Sequence, residues 1–230
     1  MSTLKVWGAT RTGGKDSTYA AHLAESLGDL RYLVTMIPRR EDSWMFHTVN
    51  IGLASLVAEA YGVEHIEAST SGVKEAELQD LKRVLEGLDI DGVVSGAIAS
   101  NYQRKRIDGL CHQLGLRHIT PLWGRDSAEL LGEMLEAGMS IMIICVAALG
   151  LDERWLGRII DEEALRELVE LHDRYGIDVC GDGGEMETLV LDAPWFRYRV
   201  EVIEADRLWD DLRGVYQIRR AELRPKIKMA

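Results

Sequence analysis

Cysteine is scarce in this 230-residue chain, and the three present, Cys111, Cys145 and Cys180, lie far apart. No Cys-x-x-Cys pair occurs, which excludes a zinc ribbon or an iron–sulfur site built from local cysteine pairs. Cys145 sits in the apolar run Ile141–Ala148 and reads as a small buried hydrophobe, and such usage suits a reducing cytoplasm. Proline is equally thin, at 4 residues, and with 47% apolar residues this points to a compact globular chain and away from a disordered one. Basic charge is in deficit: the formal net charge is -11, which disfavours a general nucleic-acid binder, whose phosphate contacts want a basic face. The one tight basic cluster is Arg104-Lys105-Arg106. Long apolar runs are missing too. The most apolar stretch, Met139–Leu149, falls short of the about 20 residues that span a bilayer, and the N-terminus enters a strand at once, with no signal-peptide pattern. The expectation is a soluble cytoplasmic protein with no membrane and no nucleic-acid partner. No internal repeat or low-complexity tract is evident.

What the chain does have is concentrated first at its front. The apolar run Leu4–Gly8 reads as a buried strand and Ser17–Leu27 as a helix, with Ala20, Leu23, Ala24 and Leu27 at helical spacing. Between them lies Ala9-Thr10-Arg11-Thr12-Gly13-Gly14-Lys15-Asp16-Ser17. Two glycines let backbone amides face an anion, the first helical turn points its unpaired amides the same way, and Lys15 adds a positive charge. A plain chain reversal is the alternative, and Lys-Asp-Ser directly after Gly-Gly favours phosphate binding. The loop is neither a Walker A motif, since Ala9 stands at the first glycine and Asp16 at the hydroxyl, nor the dinucleotide fingerprint.

Further along, apolar and helical patterns alternate through residues 1–150. Tyr32–Ile37 reads as a strand and a polar segment with Asp42, Trp44 and His47 follows. A helix then carries Val49, Leu53, Leu56, Val57 and Ala60, and Glu64–Ala68 is a short strand. Lys74–Leu88 is a helix, Ile90–Gly96 a strand, Tyr102–Leu114 a helix closed by Gly115, Ser127–Ala137 a helix and Ser140–Ala148 a strand. The alternation predicts an α/β fold, a parallel sheet with helices on both faces. Ligands of such sheets sit beyond the carboxyl ends of the strands, where the Gly-Lys-Asp loop, the His47 segment and the Gly96 loop converge. After about Gly150 the pattern changes: a helix at Glu162–Tyr175, then Leu189–Leu191, Tyr198–Val202 and Val215–Leu223 as strands. We expect a nucleotide-binding domain over 1–150 and a smaller α+β C-terminal lobe over 151–230, packed over the open edge of the sheet.

The second unusual segment is Cys180-Gly181-Asp182-Gly183-Gly184-Glu185-Met186-Glu187-Thr188. It is either a hairpin turn with solvated acids or a site. Glu185 and Glu187 alternate about Met186, which aims them to one side of an extended segment, and the packed run Leu189–Leu191 and Asp192-Ala193-Pro194-Trp195-Phe196 follows directly. Acids so placed can bind magnesium, a ribose hydroxyl or an incoming amine, or deprotonate ammonium. The spacing is not that of an EF-hand.

Taken in order, the front loop resembles the PP-loop Ser-Gly-Gly-Lys-Asp-Ser of adenine-nucleotide alpha-hydrolase-like ATP pyrophosphatases. Together with Ser95-Gly96-Ala97-Ile98-Ala99-Ser100-Asn101-Tyr102-Gln103-Arg104, Leu114-Gly115-Leu116, Pro121-Leu122-Trp123, Cys180–Thr188 and Leu191-Asp192-Ala193-Pro194, it resembles the diphthine–ammonia ligase family over nearly the whole chain. Thr12 replaces the usual serine and keeps a hydroxyl, and Asp182 stands where the family usually has glutamate. The long extension of eukaryotic members is missing, so the likeness is to the short form typical of archaea.

The resemblance implies ATP-dependent amidation of diphthine on translation elongation factor 2, with ammonia as nitrogen donor and release of AMP and pyrophosphate. ATP as its magnesium complex is the implied cofactor, and no metal ligand is assigned. Thr12, Gly13, Gly14, Lys15, Asp16, Ser17, Met36 and Gly96 are then the expected ATP-binding positions. Lys15, Asp16, Glu185 and Glu187 are the expected catalytic ones. His47, Tyr102, Gln103, Arg104, Gly181, Asp182, Gly183 and Gly184 are expected to bind the acceptor. Ser17 has an N-cap as its alternative role, Asp16 compensation of the helix dipole, Gln103 and Arg104 a solvated helical face, and His47 a structural hydrogen bond. Adenine is expected against backbone near Met36, by analogy with the fold. A different PP-loop enzyme acting on another carboxylate or a tRNA base, or a nucleotide sensor without turnover, stands as the alternative. A homo-oligomer is compatible with all of these.

Overall fold

The computed structural model describes residues 4–9, 13–38, 50–71 and 74–226. The expected binding residues Thr12 and His47 therefore lie outside the described residues, as do Asp42, Trp44 and Val49.

Five parallel strands form the first sheet, in the order β3-β2-β1-β4-β5. They are β1 (Leu4–Ala9), β2 (Gly28–Pro38), β3 (Glu64–Thr70), β4 (Gly92–Val94) and β5 (Arg117–Ile119). The helices between them are α1 (Lys15–Ala24), α2 (Ala54–Tyr61), α3 (Lys74–Glu86) and α4 (Asn101–Leu114). Neighbouring strand residues face opposite sides, so Leu33 and Val94 join the core of α1 and α2, while Val34, Met36 and Val93 pack with Leu81, Leu85, Ile107 and Leu110 of α3 and α4. Helices thus cover both faces, as the alternation predicts. The strand order reverses direction between β1 and β4, which pair in parallel as Val6 with Gly92, Trp7 with Val93 and Gly8 with Val94. Loops leaving these two strands flank the crevice where doubly wound sheets hold ligands.

The second sheet is antiparallel, β7-β6-β9-β8. It is built from β6 (Ser140–Val146), β7 (Met186–Asp192), β8 (Tyr198–Asp210) and β9 (Arg213–Pro225), with α5 (Ser127–Glu136) and α6 (Glu162–Tyr175) beside it. One reading is corrected here. Ser140–Ala148, expected as the last parallel strand, is instead a central strand of the second sheet, paired antiparallel with β7 and β9. Ile141 to Val146 are all buried, so both faces are covered and no alternation survives in the sequence to tell one kind of central strand from the other. The change of sheet therefore precedes Ser140. One core runs across both sheets: Ala20 and Ala21 of α1 and Val57 and Ala58 of α2 share a cluster with Ile141, Ile143, Leu189 and Val190. That packing presses α1, and Gly13 just before it, against β7. Among the described residues no helix is long and apolar enough to cross a membrane.

Candidate functional site

Helix α1 starts two residues earlier than its apolar spacing suggests, because Gly14 is its N-cap, in extended conformation and with no side-chain cap. Lys15 is therefore the first helical residue. The Ser17 hydroxyl does not cap the helix; it donates back to the Gly14 carbonyl at 3.2 Å. Gly13 has φ +72°, and a Cβ there would lie 2.8 Å from Cγ2 of buried Val57, so both conformation and space demand glycine. Gly96, in the loop after β4, is as constrained for another reason. A Cβ on it would fall 2.6 Å from the Asp16 carbonyl carbon and the Ser17 nitrogen. The β4 loop thus lies directly on the first turn of α1.

Lys15 is 1% exposed. Its ammonium donates to both carboxylate oxygens of Asp16 at 2.9 Å and to the Cys180 carbonyl at 2.5 Å. Burial alone lowers the pKa of such an ammonium, but the Asp16 carboxylate beside it, with Cys180 and Asp178, outweighs burial and holds it above 10.5. The backbone amide of Lys15 donates to the Thr188 hydroxyl at 3.2 Å, and the Val190 amide donates to the Gly13 carbonyl at 3.1 Å. The two motifs, more than 160 residues apart in sequence, are one hydrogen-bonded unit.

The acid motif is anchored by a residue the sequence reading did not single out. Asp178 accepts from the Ser127 hydroxyl at 2.7 Å and from the Asp182 amide at 3.1 Å, while its own amide donates to Glu185 at 3.1 Å. No periodicity or motif marks Asp178; its position two residues ahead of Cys180 is the only available signal. Asp182 in turn accepts from the Ala99 amide at 3.1 Å, which ties the acid loop to the β4 loop. Gly181 has φ +74°, and a Cβ there would lie 2.6 Å from Met186 Cγ. Gly183 and Gly184 are exposed.

Glu185 and Glu187 have different surroundings. The second carboxylate oxygen of Glu185 is buried without a hydrogen-bond partner among the described residues. Glu187 sits in β7 opposite Cys145, and its charge acts on Cys145 and on Arg213, whose guanidinium lies 3.4 Å from the Cys145 sulfur. A cavity of ≈ 430 Å³ is lined by Ala99, Ser100, Asp178, Asp182, Gly183 and Glu185 among others, between the start of α4 and the acid loop.

Tyr102, Gln103 and Arg104 form the first turn of α4, each half-buried. Arg104 stacks over Trp123, 4.3 Å from the ring centroid, and its Nε lies 3.6 Å from Asp108. The Met36 side chain, 2% exposed, packs in the core under α3 and α4. All three cysteines are free and buried, and burial pushes the Cys180 thiol up to about 12. Among the described residues no group of three or more His, Cys, Asp or Glu side chains is arranged to hold a metal ion. For a nucleotide, the fit is better: an uncapped helix start, a glycine that cannot be replaced on either side of it and a buried lysine are the elements a phosphate needs.

Comparison with known proteins identifies the family. The diphthamide synthase N-terminal domain model matches residues 6–118, and the diphthamide synthase C-terminal domain model matches residues 126–223. The diphthine–ammonia ligase of Danio rerio is 37% identical over 217 residues, covering 84% of this chain and 84% of that protein. That of Homo sapiens is 36% identical over 215 residues, covering 83% and 80%. That of Schizosaccharomyces pombe is 32% identical over 216 residues, covering 85% of this chain but 36% of the yeast protein. With both domain models matched in order along the chain and relatives similar over most of its length, the chain belongs to the diphthamide synthase family.

Proposed function

We propose that this protein is an ATP-dependent ligase that amidates diphthine on translation elongation factor 2 with ammonia, giving diphthamide, AMP and pyrophosphate. The observation that carries the reading is the direct joining of the two motif loops through Lys15, which donates to Cys180 from its side chain and to Thr188 from its backbone. Activation and amide formation need a nucleotide site and an acceptor site in contact, since a carboxylate becomes a good electrophile only once it carries a leaving group.

In this reading the Gly13 and Gly14 backbone and Lys15, with Thr12 and Ser17, hold the β and γ phosphates, and Gly96 permits the close approach that shapes the loop. An oxygen of the diphthine carboxylate attacks the α-phosphorus, the bond to the bridging oxygen breaks, and pyrophosphate leaves into the Lys15 field. Asp16 and the Cys180 carbonyl hold the ammonium in place for that role. Magnesium arrives with ATP. Adenine rests on backbone near Met36. Ammonia then attacks the acyl carbon, AMP departs with the carboxylate oxygen, and the surplus proton passes to a carboxylate of the acid loop. Glu185 is the natural base, because it lines the cavity beside Asp178 and Asp182 and carries a carboxylate oxygen without a hydrogen-bond partner among the described residues. Glu187 supports it from β7, and Asp182 with Gly181, Gly183 and Gly184 frames the acceptor. Tyr102, Gln103, Arg104 and His47 complete the acceptor contacts. The division of labour is between a nucleotide-binding part carrying the parallel sheet and a C-terminal lobe carrying the acceptor loop.

Neither a tRNA-modifying PP-loop enzyme nor a silent nucleotide sensor gains support from the relatives, each of which is named as a diphthine–ammonia ligase. Oxygen-18 in the diphthine carboxylate tests the chemistry. Recovery of the label in AMP is the expected result; label confined to the protein, or ADP and phosphate as products, would refute an acyl adenylate.

A further inference from the structure

Beside the nucleotide loop lies a line of side chains whose joint role the two glycine-rich loops do not account for. Ser95, 6% exposed, follows β4 and immediately precedes Gly96, whose backbone touches the first turn of α1. Its Oγ lies 2.8 Å from Nε2 of His118 on β5. His118 Nδ1 lies 2.5 Å from Oδ1 of Asp108 on α4, and the other oxygen of Asp108 lies 3.6 Å from Arg104 Nε. The His118 side chain is 4% exposed. One polar line therefore runs from Arg104 on α4, through Asp108 and His118, to the loop that packs on α1.

We propose that Asp108 and His118 are positioning residues that fix the Ser95 hydroxyl as a hydrogen-bond acceptor towards the nucleotide loop. The reasoning is proton accounting. The Asp108 carboxylate can only accept from Nδ1, so the hydrogen of the neutral ring resides on Nδ1 and Nε2 keeps its lone pair. Ser95 must then donate its single hydrogen to His118, which leaves Oγ with only lone pairs for any further contact. Such an oxygen accepts from an amide or from a hydroxyl or amino group of a nucleotide, and repels a phosphate oxygen. The neutral ring is favoured at physiological pH: burial lowers the His118 pKa and outweighs the raising effect of Asp108, and Arg104 adds to the lowering. Ser95 is too enclosed to serve as a nucleophile, so the resemblance to a hydrolytic triad is one of orientation only.

This inference rests on the nucleotide reading of the loop, and the test separates the two. ATP with magnesium is titrated calorimetrically into the full chain without any acceptor protein, for wild type, Ser95→Ala, Asp108→Asn and the double variant. Each single variant should bind ATP about tenfold more weakly, the cost of one hydrogen bond, and the double variant no worse than Ser95→Ala alone. Ser95→Thr, which retains the hydroxyl, should bind as wild type does. Histidine-labelled nitrogen NMR of the wild type needs no substitution and should show His118 protonated on Nδ1. Additive losses, unchanged affinities or an Nε2-protonated ring would each overturn the relay. A wild type that fails to bind ATP would instead overturn the nucleotide reading beneath it.

Discussion

The two glycine-rich loops of this molecule solve opposite problems. The loop before α1 buries a charge. Lys15 is 1% exposed, and the carboxylate beside it and a carbonyl from the far end of the chain make that tolerable. The loop before β7 leaves Gly183 and Gly184 in solvent and hangs on a few hydrogen bonds to Asp178 and Ala99. In the first, Gly13 and Lys15 are set by the packing of α1 between two sheets, and a Cβ on Gly13 would already press on the core at Val57. The second is tethered at its ends and open in the middle, which suits a surface that must admit a modified side chain of another protein. In the proposed reading, the buried loop holds the nucleotide and the exposed one admits the acceptor.

The largest effect that can break this comparison is at Lys15. Lys15→Met, which keeps the buried stem and removes the charge, should lower AMP formation by on the order of 10²–10³-fold, as does loss of a group stabilising developing charge. Product analysis checks it, and near-normal turnover would mean the buried lysine is only a strut. Gly96→Ala should come next. A methyl 2.6 Å from the backbone of Asp16 and Ser17 must displace the first turn of α1. A stability loss of about 1–3 kcal/mol is expected, with weaker ATP binding, readable by denaturant unfolding and calorimetry. Thr188→Val sharpens the link between the loops by removing the acceptor of the buried Lys15 amide at nearly constant volume. Unfolding should show a loss of about 1–3 kcal/mol, and a neutral result would mean that the amide finds another partner.

The smallest effect is on pH dependence. His65 and His118 are both held below the ordinary 6.5 by burial. The unfolded chain then takes up protons that the folded chain does not as pH falls through 6.5, so stability is full above that value and declines below it. Calorimetric melting between neutral and mildly acidic pH should show the decline, and His118→Gln should make it shallower.

Much of the parallel-sheet half was legible in the sequence, because strands there alternate with helices that each have their own apolar face, and glycine-bearing loops follow β1 and β4. The Gly13–Ser17 loop and Gly96 fell at the expected sheet edge for that reason. Other parts left no trace. β5, Arg117–Ile119, is three residues long, two of them polar, too short for any period to emerge. β6 misled because a strand buried on both faces looks alike in either kind of sheet. Asp178 holds the acid loop through Ser127 and the loop's own Asp182 and Glu185, and the role of Thr188, though it ends the second motif, emerges only once the second sheet is folded against α1. The Asp108–His118–Ser95 line joins a helix, a strand and a loop at spacings that no local motif encodes.

The account stands or falls on whether the two loops together perform one amidation. Elongation factor 2 carrying diphthine, incubated with this protein, ATP, magnesium and ammonium, should show by mass spectrometry the conversion of the diphthine acid to its amide. Conversion should require both ATP and ammonium. ATP cleaved to AMP with the diphthine left as the acid would contradict the account, keeping the nucleotide loop and removing the acceptor assigned to its partner.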